Sequence, residues 1–135
     1  MIKKVDHIGV AVKSIDEAAR FYTQGLGLSL QHVEDIPYLK LRVGFLPVGD
    51  SEIELVEGTQ PDSPVDDIIK ERGEGLYHIC LEVDDIEAAL ASLKSQGYPL
   101  RHTSPQPGSA GRKIAFLAPE AANGVLIGLA EKPKA

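Results

Sequence analysis

The chain has little of what marks extracellular, membrane or nucleic-acid-binding proteins. It holds a single cysteine, Cys80, in 135 residues, so no intramolecular disulfide can form. That fits a reducing compartment. Lys and Arg number 14 against 20 Asp and Glu, a formal net charge of −6. Such a balance argues against nucleic acid or an anionic membrane as the main partner, although a local basic patch for a phosphorylated ligand stays open. No apolar run approaches the roughly 20 residues needed to span a bilayer. The opening M-I-K-K-V-D-H-I runs straight into a strand-like pattern and lacks the apolar stretch of a signal peptide. The expectation is a cytoplasmic protein that binds neither nucleic acid nor membrane.

Several catalytic signatures are also missing. The segment G-S-A-G at 108–111 lacks the Lys-Ser/Thr ending of a phosphate loop. Ser104 and Ser109 have no nucleophile-elbow context. Cys80 has no evident base beside it. What is present is 43% hydrophobic residues and 25% charged, enough apolar material for a folded core in a protein with ordinary charge. The length suits one domain or two small fused halves.

The chain repeats itself. D-H-I-G-V-A-V-K-S-I-D-E-A-A (residues 6–19) aligns with Y-H-I-C-L-E-V-D-D-I-E-A-A-L (residues 77–90) at a constant offset of 71. His7 matches His78, Val12 matches Val83 and Ile15 matches Ile86. F-L-P at 45–47 recurs as F-L-A-P at 116–119, and I-E-L-V-E at 53–57 recurs as I-G-L-A-E at 127–131. Module 1 covers about residues 4–58, a linker 59–74, and module 2 about residues 75–133.

Each copy reads as an alternating strand (5–12 or 76–83), a helix (15–24 or 86–96) and three more strands. Those strands fall near 29–34, 39–46 and 52–57, and near 100–103, 113–117 and 124–131. Ser14 and Asp84 are the expected helix N-caps. Ser63 before Pro64 predicts a short helix over 64–71 in the linker. Residues 103–112, rich in Pro and Gly, read as a mobile loop, and the terminal E-K-P-K-A as a frayed tail. The fold class is therefore α+β, two tandem βαβββ modules forming a curved mixed sheet around a cleft.

Strand alternation puts Ile8, Val10 and Val12 on one face of the first strand and His7, Gly9 and Ala11 on the other. In the repeat His78, Cys80 and Glu82 share a face. In the fourth strand Glu52, Glu54 and Val56 do. If each helix covers the apolar face, His7, His78 and Glu54 stand on the open side, and imidazole and carboxylate are standard ligands for a divalent transition metal. The alternative is that both histidines are satisfied polar residues left by duplication, and that Glu54 is a charge on an edge strand. By internal symmetry Gly128 is the counterpart of Glu54, so the fourth equivalent position carries no side chain. His32 and His102 fall outside the repeated blocks and read as surface residues.

The doubled βαβββ unit resembles the vicinal oxygen chelate superfamily, which includes glyoxalase I and the extradiol dioxygenases. D-H-I-G-V-A-V, F-L-P-V-G-D-S-E-I-E-L-V-E, H-I-C-L-E-V-D-D-I and G-V-L-I-G-L-A-E-K-P look most like its methylmalonyl-CoA epimerases. The resemblance implies a divalent ion (Co, Mn, Ni, Zn or Fe) held by His7, Glu54 and His78, an acyl-CoA substrate, and a homodimer. It implies inversion of the carbon between a thioester and a carboxylate by proton transfer. Two departures stand out: the family's usual glutamate in G-V-L-I-E-L is Gly128 here, and a further carboxylate used by some members as a base falls near Arg42. Gly128→Glu is then expected to tighten metal binding. Glu82 shares the face of His78 but stands about 13 Å further along the strand. Arg112 and Lys113 are candidates to hold an anionic substrate, with a solvated pair as the alternative. Other readings left open are a glyoxalase-type lyase or oxygenase, and a non-catalytic small-molecule binder.

Overall fold

The computed structural model describes residues 1–134. In the first copy, strand β1 (Ile2–Ala11) leads to helix α1 (Ile15–Arg20), which continues as a π-turn over Phe21–Gly25. Strands β2 (Val33–Ile36), β3 (Leu41–Val48) and β4 (Ser51–Gly58) follow. Helix α2 (Pro64–Arg72) fills the linker. The second copy comprises β5 (Gly75–Val83), α3 (Ile86–Ser95), β6 (Gln106–Pro107), β7 (Lys113–Phe116) and β8 (Ile127–Glu131). The chain is α+β, with βαβββ in both copies. Among the described residues no helix is long and apolar enough to cross a membrane.

Contacts divide the chain into two compact units, one of His7–Tyr77 and one of Met1–Asp6 with His78 and the residues after it. In the His7 unit the strands run β2-β3-β4-β1. β3 is antiparallel to both neighbours, and β1 is parallel to β4. In the His78 unit the order is β5-β8-β7-β6, with β5 parallel to β8 and the rest antiparallel.

Both sheet faces of the His7 unit carry an apolar cluster. On one, α1 covers Val12, Leu46 and Leu55 with Ile15 and Ala19. On the other, Ala11, Ile36, Leu41, Val43, Phe45 and Val56 gather against Val65 of α2. The face expected to lie open is therefore partly roofed by the linker helix. Ile8, expected under α1, is instead 38% exposed. α1 reaches only the end of β1, and Ile8 lies about 13 Å upstream of Val12. In the His78 unit α3 packs Ile86, Ala89 and Leu90 on Val83, Ala115, Leu117 and Leu129.

The helix starts follow from side-chain chemistry. Ser14 accepts from Glu17 N, and Ser63 accepts from Val65 N with Pro64 in the first turn. For α3 the cap is Asp85 rather than Asp84: its extended backbone directly precedes Ile86, and its carboxylate accepts from Ala88 N at 3.0 Å. A second anchor recurs in both copies. Glu57 at the end of β4 accepts from Ile15 N at 2.7 Å, and Glu131 at the end of β8 accepts from Ile86 N at 3.0 Å.

The weakest strands lie elsewhere than expected. β2 starts at Val33 because Leu28 and Leu30 turn into the α1 core. Leu100 makes only an isolated bridge to Leu117, and the edge strand β6 is Gln106–Pro107. Residues 103–112, read as a mobile loop, thus hold a strand and a tight turn in which Gly108 N donates to Arg112 O and Arg112 N to Ser109 O. Of the tail expected to fray, Ala135 lies outside the described residues, and Lys132 is held by Glu82 at 3.1 Å.

Candidate functional site

The parallel pairing of β1 with β4 sets Gly9 opposite Glu54 and His7 opposite Glu52. Alternation then brings His7, Gly9, Glu52 and Glu54 to one face, as the sequence pattern predicts. Gly9 has no side chain, so the Glu54 carboxylate can lean along β1 toward the next residue on that face. Glu54 Oε2 lies 3.2 Å from His7 Nδ1, with both side chains buried. Two donors about 2.1 Å from one ion stand roughly 3–3.4 Å apart, so this pair has the chemistry and spacing for a shared divalent ion.

β3 places Phe45 opposite Glu54 and Val43 opposite Val56, so its residues on this face are apolar. Arg42 points to the other face, 3.4 Å from Asp35 and 3.8 Å from Glu57. No carboxylate comes from β3 on the side of Glu54.

In the His78 unit, β5 carries His78, Cys80 and Glu82, all buried. Cys80 pairs in register with Gly128 on β8, and Gly128 is opposed by Phe116 on β7. The Phe116 ring stands edge-on to His78, with centroids 5.1 Å apart and planes at 73°. Residue 128 itself carries no donor, and the edge of the Phe116 ring stands beside it. Of the expected ligands, His7 and Glu54 are brought together in one unit, and His78 is buried in the other. His102 is half-buried rather than a surface residue. Its Nδ1 accepts from Phe116 N at 3.0 Å, and its pKa is lowered by burial and, secondarily, by Arg101. His32 is exposed but stacks flat on Phe45 at 4.5 Å.

Arg112, a candidate to hold an anionic substrate with a solvated cation as the alternative, is buried. Its Nε lies 3.3 Å from Asp6 Oδ2, and its Nη1 donates to Ser109 Oγ at 2.9 Å. Lys113 is the solvated member, 58% exposed and 3.9 Å from Glu131. Glu82 is held by Lys132 at 3.1 Å and Lys3 at 3.9 Å. The pKa of Lys132 is raised chiefly by its hydrogen bond to Glu82. Pairing with two lysines removes Glu82 as a substitute for the acid missing at 128. Asp6 was missed from the sequence although it precedes His7; the only signal was its place in the first strand, where alternation does not mark a buried acid.

Residues 6–116 match the Glyoxalase/Bleomycin resistance protein/Dioxygenase superfamily. The chain is 38% identical to the uncharacterized protein YqjC of Bacillus subtilis (strain 168) over 130 residues, covering 96% of this chain and 93% of that one. It is 34% identical to the ethylmalonyl-CoA/methylmalonyl-CoA epimerase of Cereibacter sphaeroides over 131 residues, covering 96% and 98%. A solved methylmalonyl-CoA epimerase in complex with methylmalonyl-CoA and NH4+ superposes with a TM-score of 0.91 at 30% identity, covering 98% of this chain and 96% of that one. Fold, repeat and sequence agree: the chain belongs to the glyoxalase/bleomycin resistance/dioxygenase superfamily, the vicinal oxygen chelate fold, with methylmalonyl-CoA epimerases among its relatives.

Proposed function

We propose that the chain is a metal-dependent enzyme acting on an acyl-CoA thioester, an epimerase of a 2-substituted malonyl-CoA such as methylmalonyl-CoA. The buried pair of His7 and Glu54 at 3.2 Å, in a chain related end to end to such epimerases, carries this reading. His7, Glu54 and His78 are the proposed ligands. A bound ion supplies positive charge where negative charge develops on the acyl oxygens as the α-proton leaves. Burial of the two imidazoles and the carboxylate keeps water from competing for them. Proton transfer is where this chain differs. Neither Gly128 nor the β3 residues facing Glu54 supply a carboxylate, and loss of one general acid/base group typically costs about 100- to 10,000-fold in rate. Slow epimerisation follows. The reading includes a cytoplasmic homodimer.

Gly128 also favours a second reading, a superfamily lyase or oxygenase that uses two histidines and one carboxylate with open coordination positions. Exchange of the α-proton of methylmalonyl-CoA in deuterated water, with Co²⁺ or Mn²⁺ supplied, separates the two. Wash-in that disappears in His7→Ala supports the epimerase. No wash-in under any metal removes it. Failure to retain a stoichiometric ion points to a non-catalytic binder.

A further inference from the structure

We propose that Phe116 is a specificity-determining residue: its ring fills the side-chain volume of position 128 and sets an aromatic edge beside His78 where a fourth ligand would stand. The metal part of this inference rests on the function proposed above. Phe116 and Gly128 are directly opposed on antiparallel strands and so share one face. A Cβ on residue 128 would lie 2.9 and 3.1 Å from two ring atoms of Phe116 and 3.4 Å from Cys80 Sγ. The first distance is shorter than carbon atoms tolerate and the second is tighter than most, so a side chain there must move the ring.

The first repeat shows where the ring would go. Phe45 opposes Glu54 as Phe116 opposes Gly128. There a phenylalanine and a carboxylate coexist, because the Phe45 ring lies flat on His32, with centroids 4.5 Å apart and planes at 21°. Phe116 meets its own neighbour, His102, loosely, at 5.9 Å and 53°, and leans toward His78 instead. One residue type thus has two placements, stacked on histidine when a carboxylate stands opposite and tipped over the sheet when glycine does. Position 128 is therefore not an empty socket, and on this proposal Gly128→Glu alone does not tighten metal binding. A ligand approaching His78 from this side meets hydrocarbon and a thiol. It is favoured when it presents an apolar acyl substituent there and disfavoured when it presents a carboxylate.

Two measurements on the full chain test this. The first is a urea-unfolding cycle of Gly128→Ala, Phe116→Leu and the double variant. Gly128→Ala should lower the midpoint, and Phe116→Leu should restore most of that loss in the double. Additive effects would overturn the proposal, since contacting residues couple and separated ones do not. The second is Co²⁺ titration calorimetry. Gly128→Glu alone should stay near the wild-type affinity, while Gly128→Glu with Phe116→Leu should tighten on the order of tenfold or more, the scale on which shells around a metal act. Equal tightening without the Phe116 change would also overturn the proposal. Coupled stabilities with unchanged Co²⁺ affinity in the double would uphold the ring's placement and refute the ligand assignment it rests on. If Gly128→Glu fails to fold, the alanine cycle decides.

Discussion

Nδ1 of His7 and Oε2 of Glu54 lie 3.2 Å apart inside one unit, with both side chains at or below 5% exposure. A buried imidazole and carboxylate at this distance act as one element, each satisfying the other. Glu54→Ala is expected to lower stability by about 1.5–3 kcal/mol, the range for a hydrogen bond to a charged group. Glu54→Gln should cost less, since an amide still offers an oxygen. Urea unfolding without metal measures the packing part. The same variants titrated with Co²⁺ should show the affinity falling further for alanine than for glutamine. Unfolding midpoints equal to wild type for Glu54→Ala would mean that the contact contributes nothing.

The second buried pair makes a contrasting prediction. Arg112 Nε lies 3.3 Å from Asp6 Oδ2, and Ser109 takes up another of its donors. Breaking a buried pair by removing one partner typically costs about 3–5 kcal/mol, because the other charge is left in a poor solvent. Arg112→Ala should show a loss of that order in urea unfolding. Replacing both charges, as Asp6→Asn with Arg112→Leu, should recover much of it. An Arg112 whose main task is to bind an anion would behave differently: Arg112→Ala would leave stability near wild type and weaken only acyl-CoA binding.

Much of this was legible in the sequence, and its limits have physical causes. The constant offset between His7 and His78 marks two copies of one unit, and alternation alone puts His7 and Glu54 on one face. The α2 cap at Ser63 was readable because Ser-Pro is a local signal. The edge strands were not: β2 and β6 are four and two residues long, and their positions depend on where Leu28, Leu30 and Leu100 pack. The burial of Arg112 was also hidden, because its partner Asp6 lies 106 positions away in sequence. Periodicity reports which face a residue takes, not what charge awaits it there. The placement of Phe116 was equally out of reach, since it depends on a side-chain rotation that F-L-P and F-L-A-P do not encode.

Glu57 and Glu131 close the helices of the two repeats in the same way. Each ends a strand and accepts the first backbone N–H of the helix beside it, Ile15 N at 2.7 Å and Ile86 N at 3.0 Å. A carboxylate here meets an otherwise unpaired N–H and the positive end of the helix. Glu57→Gln and Glu131→Gln should each cost about 0.5–1 kcal/mol, and alanine about 1–2 kcal/mol, as for lost helix caps. Glu57→Ala should be the worse of the two alanine variants, since α1 is six residues long and α3 is ten. Thermal unfolding at low and high salt checks this; the glutamine effect should shrink as salt screens the charge.

His102 links stability to pH. Its Nδ1 accepts from Phe116 N at 3.0 Å, which requires that nitrogen to be unprotonated, and burial with the nearby Arg101 lowers its pKa from the ordinary value near 6.5. The unfolded chain therefore binds a proton at a higher pH than the folded one. Between the two pKa values stability rises with pH. The contribution of His102 is complete above about pH 6.5 and is lost as pH falls through the lowered folded value. Melting temperatures from pH 7.5 down to 5.0 should decline in wild type and decline less steeply in His102→Ala, whose plateau at pH 7.5 should itself be lower because Phe116 N has lost its acceptor. Comparing slopes removes every contribution that the two proteins share. Parallel slopes would show that the imidazole is protonated as readily in the fold as in water, and that the bond to Phe116 N does not hold it neutral.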